Sequence, residues 1–262
     1  MTARGAEALP QTCCPSVWLW PGQALYAGPS LKLAPHSGSV WCLAVGIGGP
    51  LTVAVRHANR VEAGSVLIPP RLTHQLICHG QGLVSCYLEP TTSRAESCHA
   101  KMGEWHGALG TGHVDEERLQ FTPADDTEAS RWLALAAPAV DKRIDPRIIN
   151  AVNRIREDPA ASIPSRALAA EAGLSESRFL HLFRDELGTT VRRYRLWTRL
   201  MEACNAIAEG KSLTDAAMRT GFASPSHLSD RFKSTFGLSA SQLLATGVVV
   251  RVPDQTRRAD AN

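Results

Sequence analysis

Two apolar patterns divide the chain. Between Ser16 and Leu88, short apolar runs at 17–20, 24–27, 31–33, 40–47, 51–55, 66–68, 75–78 and 83–88 are separated by Gly, Pro, Asn and His. In the run Leu51-Thr-Val-Ala-Val55 large and small side chains alternate, as in a strand with one face against a core. Turn formers punctuate the set at Pro21-Gly22, Gly28-Pro29, Gly48-Gly49-Pro50, Gly64 and Gly80-Gln81-Gly82. Many short strands without a helical period predict a sandwich or small barrel. From Glu128 the period lengthens to three and four. Trp132, Leu133, Leu135, Ala136 and Val140 predict one helix, and Ile148, Ile149, Val152 and Ile155 a second over 146–157, stopping near Pro159.

The helical half contains an internal repeat. Phe183-Arg-Asp-Glu-Leu-Gly188 and Phe232-Lys-Ser-Thr-Phe-Gly237 share one form, 49 residues apart, and Ala169-x-x-x-Gly173 matches Ala217-x-x-x-Gly221, 48 apart. Each unit reads as a short helix, a glycine turn and a longer helix. Alanine suits a close helix crossing, and glycine suits a turn with positive φ. That is the form of a helix-turn-helix, whose second helix can enter a DNA major groove. Between the copies, 190–209 carries Tyr194, Trp197, Met201, Cys204 and Ala208 on one face, predicting a helix of roughly 30 Å, close to the ~34 Å of one turn of DNA. Ser239-x-x-Gln242 forms a capping box that starts a last helix.

Charge sharpens the division. The net charge is +3, but residues 1–140 hold 9 Lys/Arg against 11 Asp/Glu, and residues 141–262 hold 19 against 14. The basic half is the repeated one, which points to an anionic partner. No apolar run approaches the ~18 residues of a membrane span, and the first ten residues lack the apolar core of a secretory signal. The 7 cysteines include no Cys-x-x-Cys pair. Reduced thiols in the cytoplasm are therefore expected; Cys204 reads as a small buried apolar residue, and Cys13-Cys14 and Cys98-His99 as incidental.

Candidate contacts follow from the helix faces. In the first unit Phe179, Leu182 and Phe183 form the buried stripe, so Ser177, Leu180 and His181 face outward as base-contacting candidates. In the second, Leu228 and Phe232 are buried and Ser226, His227 and Asp230 face outward. Arg178, Arg184, Arg192, Arg193, Arg231 and Lys233 are placed for phosphates. In the first half, His36, Trp41, His74 and Tyr87 combine aromatic faces with a few polar groups, as effector pockets do; Trp41 and Tyr87 serve equally well to fill a small barrel.

The stretch Gly64-Ser-Val-Leu-Ile-Pro-Pro-Arg-Leu-Thr-His74 resembles the second signature of the cupin fold. The region of the first signature supplies His36 and no acid, too few ligands for a metal, so neither a metal nor another cofactor is expected. The helical half resembles the AraC/XylS family of transcription regulators. The residues that carry this are Leu168-Ala169-x-x-x-Gly173-Leu-Ser175 with Phe179, Phe183 and Gly188, and Asp215-Ala-Ala217-x-x-x-Gly221-Phe-x-Ser224-x-Ser226-His-Leu-Ser-x-x-Phe232-Lys-x-x-Phe-Gly237-Leu-Ser239. The family favours a basic residue where Asp230 stands, and a Pro and an aromatic–Arg pair where Ala240 and Leu243-Leu244 stand.

The expectation is therefore an α+β chain of two domains. An all-β, cupin-like, effector-sensing barrel (1–122) is followed by a helical dimerisation and linker segment (123–145), an all-α tandem helix-turn-helix domain (146–250) and a tail (251–262). The resemblance implies a non-enzymatic, homodimeric activator or repressor that binds double-stranded DNA half-sites, responds to a small molecule and contacts RNA polymerase, away from membranes. Two other readings remain open: a cupin-type metal enzyme with an appended helical domain, and a DNA-binding protein whose barrel only dimerises.

Overall fold

A computed structural model describes residues 14–55, 60–140 and 142–253. Cys13 and residues 254–262 of the expected tail lie outside them. The first half begins with eight strands, β1 (Ser16–Trp20), β2 (Gln23–Pro29), β3 (Trp41–Ile47), β4 (Leu51–Val55), β5 (Arg60–Ala63), β6 (Ser65–Ile68), β7 (His74–Cys78) and β8 (Gly82–Leu88). A helix α1 (Arg94–Ala100), a hairpin of β9 (Met102–His106) and β10 (Leu109–His113), and helices α2 (Glu116–Leu119) and α3 (Asp126–Ala136) complete it. The 31–33 run is not a strand. It lies in the connection between β2 and β3, with Leu33 packed into the core and its carbonyl accepting from Gln75 Nε2 at 3.1 Å.

The second half is helical: α4 (Pro146–Glu157), α5 (Ser165–Glu171), α6 (Glu176–Leu187), α7 (Val191–Ala208), α8 (Leu213–Arg219), α9 (Pro225–Phe236) and α10 (Ala240–Leu244). The chain then returns to the first half. The β-branched run after Gly247 forms β11 (Val249–Arg251), which pairs parallel with β1, Ser16 opposite Val249. The last strand of the barrel sheet thus comes from a stretch that the sequence assigns to the helical domain and its tail.

The strands form an eight-stranded sheet in the order β11-β1-β2-β8-β3-β6-β10-β9 and a three-stranded sheet β5-β4-β7. Strand alternation sends residues of the large sheet to two different cores. Leu43, Val45, Leu67, Val84 and Cys86 face α1 and α3, where Ala129, Trp132, Leu133 and Ala136 cover them. Cys42, Ala44, Val66, Ile68 and Leu83 face the small sheet, together with Leu51, Val53 and Leu76. Both faces of the central strands are covered, which is why β3 and β8 are almost continuously apolar.

The inner core does not end at the barrel. It runs on through Trp197, Leu200 and Cys204 of α7, Ala216 and Ala217 of α8, and Leu228, Phe232 and Phe236 of α9. A separate core joins α4, α5, α6 and the start of α7 through Ile148, Val152, Leu168, Phe179, Phe183 and Tyr194. The first helical unit is therefore built on a core of its own, whereas the second shares one with the barrel.

Candidate nucleic-acid interface and interdomain cavity

The second helix of each repeat unit is capped at both ends. Ser175 Oγ accepts from Arg178 N–H and Ser224 Oγ from His227 N–H, closing the N-termini of α6 and α9. Gly188 (φ +61°) and Gly237 (φ +87°) close their C-termini in the left-handed region. The turns between short and long helices hold Gly173 (φ +66°) and Gly221 (φ +71°), and Ala169 and Ala217 are buried at the crossings. Ser239 and Gln242 make the capping box of α10.

On α6, Ser177, Arg178, Leu180, His181 and Arg184 are all exposed, over a base of buried Phe179 and Phe183. Leu180 is 40% exposed. On α9, Ser226, Asp230, Arg231 and Lys233 are exposed and His227 is half-buried. The two fronts are joined by α7, whose 18 residues span about 27 Å. Arg192 is exposed near its start. Arg193 is committed to the barrel: its Nη1 donates to Ser37 Oγ (3.2 Å) and Gly38 O (3.3 Å).

The barrel holds the helical half at two further points. Glu89, immediately after β8 and 2% exposed, accepts from Tyr194 Oη at 2.6 Å and pairs with Arg156 at 2.5 Å. The segment around His36 is hydrogen-bonded on one side to His74, N–H to carbonyl in both directions at 2.9 Å. On its other side Ala34 N–H donates to Gly237 O (2.7 Å) and Ser37 N–H to Ser234 O (3.0 Å), at the end of α9.

Of the four effector-pocket candidates, three converge. The rings of His36 and His74 stand 4.3 Å apart, and with Tyr87, Cys42 and Thr235 they line a small space of about 230 Å³. Burial holds the His36 imidazole down at about 4, with His74 lowering it further and a bond to Ala34 O opposing; burial also lowers His74. Trp41 is not among them. At the outer end of β3 it packs edge-on against His99 of α1, centroids 5.8 Å apart, because strand alternation turns it to the α1 side. Among the described residues no group of three or more His, Cys, Asp or Glu is placed to hold a metal ion. No helix among them is long and apolar enough to cross a membrane.

A larger cavity was not legible in the sequence. Between β1, β2 and β8 on one side and α7, α9 and α10 on the other lies a narrow crevice of about 790 Å³ of empty space, its open mouth included. Leu19, Tyr26 and Leu83 face Met201, Cys204 and Phe236 across it, and no charged side chain lines it. Its polar side chains are Ser85, Tyr87 and Tyr26, the last donating to Pro29 O at 2.8 Å. Cys204 sits in its wall with its thiol pushed up to about 12 by burial.

Two helix-turn-helix units with arginine-rich surfaces stand on a β-barrel base. Residues 168–246 match the family described as a helix-turn-helix domain. The chain is similar to the transcriptional regulator MxiE of Shigella flexneri, 26% identical over 131 residues, and to the probable transcriptional regulator LumQ of Photobacterium leiognathi, 34% over 133 residues. These alignments cover 50% of this chain and 60% and 53% of those proteins, so the chain spans little more than half of the curated relatives it matches. Its fold is that of ToxT from Vibrio cholerae. The apo form superposes with a TM-score of 0.57 at 13% identity, covering 86% of this chain and 97% of that one. An unsaturated fatty acid-bound form gives 0.50 at 11% identity, covering 85% and 95%.

Proposed function

We propose that the protein is a transcription regulator that reads DNA with α6 and α9 and whose grip is set by an apolar small molecule held between barrel and helices. The observation that carries this reading is the pair of equivalent second helices, each with a polar front exposed over an aromatic base of its own. Their chemistry fits base edges: His181 and the serines offer donors and acceptors, Leu180 meets a thymine methyl, and Asp230 accepts from cytosine N4. Arg178, Arg184, Arg192, Arg231 and Lys233 contact the backbone in this reading, and Arg193 joins them when the barrel releases it. The protein is a cytoplasmic, non-enzymatic homodimer that contacts RNA polymerase, as the AraC type implies, with residues 123–145 in the dimer contact.

The effector seat in this reading is the interdomain crevice, with His36 and His74 behind it across Tyr87, rather than a pocket that includes Trp41. Its wholly uncharged lining fits an apolar ligand, and a ToxT structure with a bound unsaturated fatty acid supports an apolar effector on this fold. The DNA reading is tested with the full chain on DNA flanking its own gene, titrated against random competitor. His181→Ala is expected to weaken specific binding by roughly 1–3 kcal/mol and leave competitor binding unchanged. Equal loss on both DNAs removes the base-reading role.

A further inference from the structure

Between the two helix-turn-helix units, the start of α7, the 159–162 loop and one flank of α9 enclose an open groove of about 1790 Å³ of empty space. Arg192, Arg193, Arg195, Arg199 and Arg231 line it, with His227, and no carboxylate does. Asp158, at the foot of the loop, is turned to Ala161 N–H at 3.0 Å. Five guanidinium groups without an acid among them are an unbalanced charge. Burial lowers the affinity of Arg193, Arg195 and Arg199 for their protons, and Arg71 and Arg192 add to the effect at Arg193.

Two further observations show that donors here lack acceptors. Arg199 lies over the Phe222 ring at 4.2 Å and gives its Nε–H to Thr220 O, yet its Nη2 is buried with no partner. At the groove's other wall, Ala223 N–H and Arg231 Nε–H point at the two nitrogens of one imidazole, His227 Nδ1 at 3.3 Å and Nε2 at 3.2 Å. A neutral imidazole offers one lone pair and a protonated one offers none, so at least one of these donors has no acceptor. Of these donors Arg199 Nη2 is buried, where an unmet donor is costly, and those at His227 are exposed; a charged acceptor would satisfy both kinds at once.

We propose that this groove is a phosphate-binding site, seating a phosphate-type oxyanion among Arg199, Arg231 and His227, with Arg192 at its rim. Among the base-contacting candidates of α9, His227 turns to the groove with Arg231 and Ser234, whereas Ser226 and Asp230 lie on another flank. Two sources share the chemistry, a phosphate of the DNA backbone running between the two units and a free phosphorylated small molecule. The proposal stands whether or not α6 and α9 read sequence, because either source satisfies the same donors.

The experiment has two arms on the full chain. In the first, inorganic pyrophosphate is titrated by calorimetry at matched ionic strength into wild type, Arg231→Gln and Arg192→Gln. In the second, the same proteins bind a random-sequence duplex over a range of salt. Thermal unfolding shows which variants are folded, and Arg192, exposed and without a structural bond, supplies the reading if Arg231→Gln is not. One-site pyrophosphate binding that weakens roughly tenfold or more in the variants establishes a free-phosphate site. No pyrophosphate binding, with a log–log salt slope for DNA smaller by about one in the variants, assigns the groove to a backbone phosphate. No pyrophosphate binding with an unchanged slope, or with no DNA binding by wild type at any salt, overturns the proposal. Pyrophosphate binding without DNA binding keeps the site and removes the DNA reading instead.

Discussion

At the scale of single residues, the buried polar groups in the barrel carry the most distinctive behaviour. His36 is kept neutral by its surroundings at a pH where an unfolded histidine, near 6.5, begins to charge. Between about 6.5 and about 4 the unfolded chain takes up a proton that the folded chain refuses, so stability falls as pH drops through that window and levels off below it. No charged side chain lines the space around His36 and His74 to offset this. From pH 6.5 to 5 the loss at His36 alone is roughly 1.5 kcal/mol. Urea unfolding at the two pH values measures it, and His36→Asn, which keeps a donor for Ala34 O, is expected to flatten the dependence. An identical slope in that variant means that another group dominates.

Glu89 makes the complementary case, a buried acid that accepts from Thr91 Oγ1 in its own half (2.7 Å) and from Tyr194 and Arg156 in the helical half. Glu89→Gln leaves Tyr194 and Arg156 facing a neutral amide. It is expected to cost about 2 kcal/mol, the worth of a hydrogen bond to a charged group, whereas Tyr194→Phe, which spares the ion pair, costs less. Chemical denaturation of both variants gives the comparison. A costlier Tyr194→Phe would show that Tyr194, rather than the carboxylate, holds the two halves together.

Among the elements, the two glycine caps look alike in the sequence and differ in what surrounds them. A Cβ on Gly188 meets nothing within 4 Å, whereas one on Gly237 lies 2.7 Å from His36 Nδ1 and 2.9 Å from Ala34 O. Gly188→Ala is expected to cost only the left-handed backbone, roughly 1–2 kcal/mol. Gly237→Ala adds a collision that pushes the His36 segment off the end of α9. The difference appears as an unfolding midpoint lowered further in the second variant, with exchange protection lost at Ala34 and Ser37. Equal midpoints mean that the segment yields without cost.

The same contrast explains what could be read in advance. α4, α6 and α7 were legible almost to the residue because period, an Asp, Ser or Thr cap and a stop residue (Pro159, Gly188 or Gly210) agree there. β5, β9 and β10 were not, since Arg60–Ala63 and Met102–His106 are largely exposed and carry little apolar signal. The return of β11 to β1 and the burial of Glu89 depend on pairings more than 60 residues apart in sequence, which no local pattern encodes. Of the site, the outward faces of α6 and α9 were legible because helix geometry alone fixes them. Arg192, Arg193 and Arg231 were read as phosphate candidates, but neither their meeting in one groove nor the crevice was legible, because each is assembled from walls that only the tertiary fold brings together.

For the whole molecule, the decisive fact is that the cores do not follow the apparent domains. The inner barrel core continues into α7, α8 and α9, while α4, α5 and α6 are built on another. A ligand entering the crevice touches walls from both halves, Leu19 and Tyr26 on one side and Met201 and Phe236 on the other. Binding to that closed arrangement alone stabilises it by RT ln(1 + [L]/Kd), about 2.7 kcal/mol at a hundredfold excess over Kd. The gain must be shared by every element of the joint core, and the first unit, which has no apolar share in it, receives it through α7, which enters both cores, and through the Glu89–Arg156 pair. Hydrogen exchange with a bound apolar ligand is therefore expected to slow in β1, β2, β8, the second half of α7 and α9, with little change in α4 to α6. Cys204→Leu, which fills part of the crevice, is expected to raise the unfolding midpoint without ligand and to weaken ligand binding. Protection confined to the barrel strands would mean that the ligand sits inside the barrel and that the shared core carries no signal. Protection extending to α9 makes the second helix-turn-helix unit the one that the effector positions and leaves the first as the constant anchor on DNA.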